Sequence, residues 1–323
     1  MSLNWTSPKT PRYDRGILVV HSDDGMAKER TWVKLFDEIN RDKNTWSDYN
    51  ITYSLALNTG QIDSTKDFLN SAEVKKYSEA NYEMLSHGKH HVGLGAFPLS
   101  SIATAGESVI NVTASEAIYG RYNTPYLFEI YEGSKNEEIR VINNSSTTIT
   151  IENPLKNSYT TEAKVRLTDS SADLLLNGAI NDAKSWGVEI KHHVFTYHYG
   201  SHWYPNDKIE TWINKYFDSA RGIITVDGLN YGDNFKLHNM NCLLLTGANP
   251  ATMTTIDNLL TKTINNDGVL IVYGHAEDDT ASMDALKYIV NQALNRGVRI
   301  ATQSQAVEIL KNKQSQQAMK MNK

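Results

Sequence analysis

Asp23 and Asp24 close an apolar run and are followed at once by Gly25. Like charges this close raise one another's pKa, and the simplest compensation is a cation. The competing use is local: either aspartate could cap a helix beginning near residue 27, with Gly25 supplying the turn. His87 and His91 stand four residues apart, a spacing that brings two imidazoles to one side of a helical turn or tight loop. Two histidines and one carboxylate form a facial triad with open positions. Such a site holds a divalent ion, lowers the pKa of a water molecule, and polarises a carbonyl as it is attacked. Taken alone, His-x-x-x-His is a common accident and lone histidines are more often surface or core residues, so the signal lies in the combination.

These residues need a frame. The apolar run Gly16 to Ser22 is too short for a helix and suits a strand buried on both faces, as in a parallel sheet. Trp32, Leu35, Phe36 and Ile39 fall at helical spacing, and residues 51–57 return as a strand, giving a βαβ unit. The alternation continues with a helix over 71–80 and a strand over 82–85. It resumes later with a helix over 172–186, a strand over 193–199, a helix over 207–217 and strands over 222–226 and 240–245. It closes with a strand over 269–273, a helix over 283–295, a strand over 297–301 and a helix over 304–310.

Between about 97 and 170 the texture differs. Tyr126-Leu-Phe-Glu-Ile-Tyr131, Glu138-Ile-Arg-Val-Ile142 and Thr147-Thr-Ile-Thr-Ile151 alternate apolar and polar residues between Gly, Asn and Ser turns, which predicts short antiparallel strands. The expected architecture is one discontinuous α/β domain, residues 1–96 and 171–313, with parallel strands wrapped by helices. An all-β module, 97–170, interrupts it, and a Lys- and Gln-rich tail, 314–323, follows. In parallel α/β folds, sites lie at the carboxyl ends of strands. Asp23, Asp24, His87, Tyr199 and His275 each follow a predicted strand.

Composition sets the outer limits. The chain has 323 residues, 40% of them hydrophobic and 21% charged, which is ordinary for a globular protein and sufficient for a sizeable core. A net charge of -5 offers no broad basic footprint, so nucleic acid is not an expected partner. The single cysteine, Cys242, cannot form an internal disulfide and sits in an apolar strand, which marks it as a core residue. No run approaches the roughly 18 apolar residues of a membrane span, and no secretory leader opens the sequence. The chain is therefore expected in the cytoplasm as synthesised.

Val20-His-Ser-Asp-Asp-Gly25 resembles the opening motif of the NodB-like polysaccharide deacetylases, carbohydrate esterase family four. Glu83-Met-Leu-Ser-His-Gly-Lys-His-His91 is similar to the second motif, where a Ser-His precedes another histidine four residues on. Phe195-Thr-Tyr-His-Tyr-Gly200 looks like the third motif, and Arg221-Gly-Ile-Ile-Thr-Val-Asp-Gly-Leu-Asn230 looks like the strand and turn that follow it. Val269-Leu-Ile-Val-Tyr-Gly-His275 resembles the apolar strand that ends on a histidine. The resemblance extends over nearly everything outside residues 97–170.

It implies a distorted (β/α) barrel with Asp24, His87 and His91 binding zinc or a related divalent ion, and Asp23 as the base that deprotonates the metal-bound water. His275 would be the acid, and the backbone N–H of Tyr199 an oxyanion donor. His198, His202, Trp203 and Tyr204 are candidates for touching the sugar. The implied activity is hydrolytic removal of N-acetyl groups from an amino-sugar polymer such as peptidoglycan or a capsular polysaccharide. Two departures stand out: Thr196 occupies the place of an arginine that pairs with the base in many members, and His198 replaces the usual proline.

The β cadence of 97–170 resembles small modules of bacteriophage tail and baseplate proteins. On that reading the protein is virion-associated, acts at the bacterial surface and meets tail components. The alternative is a carbohydrate-binding module or one that joins copies of the chain. Two other functions stay open: a tail protein that keeps the fold and binds glycan without turnover, and a deacetylase of O-acetyl esters or non-sugar amides.

Overall fold

The computed structural model describes residues 16–41, 50–119, 125–198, 204–224, 228–231, 236–246, 251–276 and 279–321. Its first strand, β1 (Ile17–Asp23), is buried along its whole length. Leu18 and Val20 face outward onto Trp32, Leu35 and Phe36 of α1 (Glu29–Arg41). Ile17 and Val19 face the opposite way. This period-2 division explains why the run is apolar throughout: both faces are core.

The alternation continues through β2 (Ser54–Leu57), α2 (Ser71–Glu79) and β3 (Glu83–Ser86). Asn70 and Glu73 form a reciprocal capping box that fixes the start of α2. There follow β4 (Phe97–Pro98), β5 (Val109–Asn111), α3 (Ser115–Tyr119), β6 (Leu127–Glu132), β7 (Lys135–Asn144), β8 (Thr148–Ile151) and β9 (Lys164–Leu167). The α/β rhythm then returns with α4 (Asp169–Ser185), β10 (His192–Val194), α5 (Ile209–Asn214), β11 (Ser219–Ile224), β12 (Leu229–Asn230) and β13 (Met240–Leu244). The last elements are α6 (Met253–Asn265), β14 (Val269–His275), α7 (Thr280–Asn295), β15 (Arg299–Ala301) and α8 (Gln303–Met321).

Strands β1, β2, β3, β10, β11, β13 and β14 pair in that order, all parallel, and β14 pairs back onto β1, closing a barrel. Outside the ring, β15 adds to β1 in parallel and β12 to β14 antiparallel. The inside is filled by Ile17, Val19, Met240, Cys242, Val269, Ile271 and Tyr273, with Ala306, Val307 and Leu310 of α8 packed against them. The start of α8 closes the amino-terminal mouth. Glu83, first residue of β3, accepts hydrogen bonds from the backbone N–H groups of Gln303 at 2.6 Å and Ser304 at 2.9 Å, placing a carboxylate at a helix N-terminus. The barrel is therefore a packed core closed at its amino-terminal end, and function belongs to the carboxyl-terminal rim.

A second, antiparallel sheet has the order β4-β9-β6-β7-β8-β5. Its entry and exit strands pair with each other, Phe97 opposite Val165. Its apolar face, with Phe128, Ile130 and Val165, belongs to the same core as the barrel's outer layer. Among the described residues no helix is long and apolar enough to cross a membrane.

Three differences from the expected elements are instructive. The strand expected over 193–199 stops at Val194 because Tyr197 adopts a left-handed backbone (φ 54°), inside the turn Thr196–His198. Helix α6 has no counterpart in the sequence reading, although Thr252 caps it through the Thr255 N–H. Helix α8 runs on to Met321, through most of the residues that composition assigned to a tail.

Candidate metal centre

The register of β1 on β14 sets Asp23 directly beside His275 at the carboxyl end of the barrel. Immediately after β1 the chain reverses: Asp24 (φ 79°) and Gly25 (φ 67°) both adopt left-handed conformations. Aspartate tolerates this better than most residues, and strain of this kind clusters at functional sites. A Cβ on Gly25 would also meet the Leu57 side chain at 2.9 Å, so glycine is required there twice over.

The turn carries the Asp24 carboxylate to His87 and His91, and all three are buried. Asp24 Oδ1 lies 3.6 Å from His87 Nε2 and 3.4 Å from His91 Nε2. Donor atoms sharing one ion at roughly 2.0–2.2 Å, with near-tetrahedral angles, lie about 3.4 Å apart, so this donor set fits a divalent ion of the zinc type. His87 Nδ1 is engaged by the Val194 carbonyl at 2.9 Å, which leaves Nε2 directed at Asp24. Burial lowers the His87 pKa despite the nearby aspartates, favouring the neutral imidazole that can ligate. Asn58, the residue after β2, donates from Nδ2 to Asp24 Oδ1 at 2.9 Å and holds the carboxylate in place. Among the described residues this is the one group of three such side chains.

Asp23 points into the barrel, where Arg221 of β11 meets it. A single nitrogen, Nη2, donates to Oδ1 at 2.7 Å and to Oδ2 at 2.6 Å. Arg221 is fully buried, with its guanidinium over the Tyr273 ring at 4.3 Å. Burial would raise the Asp23 pKa, but the Arg221 charge outweighs it, helped by His87 and His275, and the carboxyl is held well below its ordinary range. Asp23 is thus an ionised carboxylate at any neutral pH. On the neighbouring strand end, His275 Nε2 lies 3.8 Å from Asp24 Oδ2, and its side chain is 40% exposed.

Behind the aspartate turn sits Glu29, fully buried in the first turn of α1. Its carboxyl accepts from Ser22 Oγ at 2.5 Å and Tyr53 Oη at 2.8 Å. Burial nevertheless pushes its pKa up to about 8, which favours the protonated, uncharged form well above the ordinary glutamate range.

The structure therefore brings together Asp23, Asp24, His87, His91 and His275. Tyr199, His202 and Trp203 lie outside the described residues, as does the side chain of His198. Tyr204 packs its ring on Phe97 at 5.3 Å, and its carbonyl accepts from Ala96. Thr196, in the arginine's usual place, donates to the Val92 carbonyl at 2.5 Å and so ties the end of β10 to the loop after His91. The cation for Asp23 comes from another strand. Arg221 and Asn58 were both missed from the sequence. Asn58 had a signal, being one more polar residue directly after a strand; Arg221 opens an apolar run in the sequence, and only the fold places it inside β11, where a buried charge needs a partner.

Several solved structures are similar to this chain. A Mycobacterium smegmatis protein assigned as a polysaccharide deacetylase aligns over 97% of this chain and 96% of its own, with 9% identity and a TM-score of 0.50. A polysaccharide deacetylase from Bacillus cereus aligns over 76% of this chain with 11% identity and a TM-score of 0.42, and the match spans 50% of that longer protein. A pseudoenzyme of carbohydrate esterase family four from Bacillus anthracis aligns over 93% of this chain and 69% of its own, with 7% identity and a TM-score of 0.47. No protein-family model matches the chain, and neither does any curated protein sequence. At such identities the likeness concerns the fold alone: this chain has a NodB-like (β/α) barrel.

Proposed function

We propose that the protein is a divalent-metal-dependent deacetylase that hydrolyses N-acetyl groups on an amino-sugar polymer such as peptidoglycan or a capsular polysaccharide. The observation that carries this reading is the gathering of Asp24, His87 and His91 on one rim, with an arginine-held Asp23 and a half-open His275 beside them. The polymer reading comes from the motifs and the fold.

Asp24, His87 and His91 would hold the ion, which when bound would polarise the acyl oxygen and make water more acidic. Asp23 would accept a proton from the attacking water. Because Arg221 holds its pKa low, Asp23 is a weak base, and weak bases serve only where the proton donor has been made acidic. The two groups therefore call for each other. An amide collapses to amine and acid only if its nitrogen is protonated, and His275 would supply that proton. Its exposure at the rim leaves room for a sugar to approach, while the buried Asp24, His87 and His91 stay shielded from solvent. By carry-over from the motif, the Tyr199 backbone N–H would donate to the developing oxyanion, with His198, His202, Trp203 and Tyr204 along the sugar path.

Acetate release from N-acetylated glycan, measured with and without chelator on the wild type and on Asp23→Ala, tests this reading. Loss of release in both cases supports it. Release that ignores the chelator and survives Asp23→Ala removes it.

A further inference from the structure

The second sheet contributes no ligand to the candidate centre, yet it touches the loop that carries two of them. His90, between His87 and His91, shares a hydrogen bond of 2.7 Å with Tyr126 Oη, and their rings meet edge-on with centroids 5.6 Å apart. Tyr126 immediately precedes β6 and is 1% exposed, so its hydroxyl is fixed by the packing of that sheet. The opposite side of His90 is gripped by the turn after β2: a Cβ on Gly60 would stand 2.8 Å from His90 Nε2. Backbone bonds run from Thr59 N to Gly88 O and from Gly60 N to Lys89 O on that side, and from Gly93 N to Ala117 O of α3 on the other. The ligand loop is thus clamped between the barrel and the second sheet, and the His90–Tyr126 hydrogen bond ties it to the sheet through side chains.

We infer that Tyr126 is a positioning residue of the metal centre, acting through His90 to hold the loop so that the His87 and His91 imidazoles face Asp24. This rests on the ligand set proposed above. It makes the second sheet part of the site, and not only an appended binding module. Groups one step behind the ligands change metal affinity by about 10–100-fold when removed. Tyr126 acts one link further out, through the backbone next to His91, so the lower end of that range is the expectation.

Cobalt(II) titration of the full chain, followed by its visible absorption, tests this together with the thermal midpoint. Tyr126→Phe keeps the ring and removes only the hydroxyl. It should weaken cobalt binding about tenfold and alter the absorption band, with the midpoint little changed. His90→Phe breaks the same bond from the other end and carries the test should Tyr126→Phe fail to fold. The double variant should be no worse than either single one, since both remove one interaction. Wild-type affinity and spectrum in Tyr126→Phe, or in His90→Phe where only that variant folds, would overturn the inference. His87→Ala separates the two levels of the argument. If the wild type binds cobalt and His87→Ala does not, the ligand set stands and the Tyr126 and His90 variants alone decide. If the wild type takes up no cobalt, both the ligand set and the role of Tyr126 fall.

Discussion

Arg221 of β11 reaches across the barrel to Asp23 of β1, placing one guanidinium nitrogen within 2.7 Å of both carboxylate oxygens in a site closed to solvent. The two residues are 198 positions apart in sequence and lie on strands that do not pair. Breaking a buried pair by removing one partner leaves an uncompensated charge and costs about 3–5 kcal/mol. Arg221→Met should therefore destabilise the protein by that order in urea unfolding, and Asp23→Asn/Arg221→Met should recover much of the loss without recovering turnover. The pH dependence follows from the sign of the shift. The folded Asp23 carboxyl titrates below its ordinary value of 3.8, so the pair's stabilisation is complete above that pH and is lost as pH falls through the lower folded value. In the double variant this acid-side loss should be smaller.

Glu29 gives the opposite slope. Its folded pKa, about 8, lies above the ordinary 4.5, so its contribution is complete below pH 4.5 and is lost as pH rises through 8. Glu29→Gln removes the titration while keeping a polar group of the same size beside Ser22 and Tyr53. Urea unfolding at pH 5 and pH 9 should show the variant losing less stability than the wild type between the two. Equal losses would mean that Glu29 is already ionised in the folded protein.

The reach of the motifs and their limit are both visible in these residues. Asp23, Asp24, His87 and His275 could be picked out because each directly follows an apolar strand, and parallel barrels gather strand ends on one rim however far apart they lie in sequence. Closure of the ring, with β14 pairing back onto β1, follows from long-range pairing and has no local signature. Arg221 was hidden for the same reason. In sequence it opens an apolar run, and only the register Val194 opposite Arg221, with its neighbours' alternation, turns it inward. The left-handed Tyr197 that ends β10 early is likewise set by packing, since its edge-on contact with the His91 ring at 4.3 Å comes from a different strand end.

Thr196 offers a direct test of where the arginine belongs. It is 3% exposed, and its hydroxyl is committed to Val92. Thr196→Arg would introduce the arginine of the motif it resembles, yet here it would bury a second cation and break the bond to Val92, while Arg221 already neutralises Asp23. The expected outcome is a lower thermal midpoint with no gain in acetate release. A gain would mean that Arg221 is not an adequate partner for Asp23.

Asn58 holds Asp24 by one hydrogen bond at 2.9 Å. Asn58→Leu fills a similar volume without the donor and removes this hydrogen bond from the Asp24 carboxylate. Zinc affinity measured by calorimetry should fall by about 10-fold or more. An unchanged affinity would indicate that the backbone turn at Asp24 and Gly25 orients the carboxylate by itself.

On the proposed ligand set, Asp24, His87 and His91 hold one divalent ion while Asp23 does not. Metal content of the purified protein, measured on the wild type, His87→Ala and Asp23→Asn side by side, tests it most directly. One ion per chain is expected in the wild type and in Asp23→Asn, and none in His87→Ala. A wild type that takes up no ion from excess zinc, or a His87→Ala variant that keeps a full one, would contradict it.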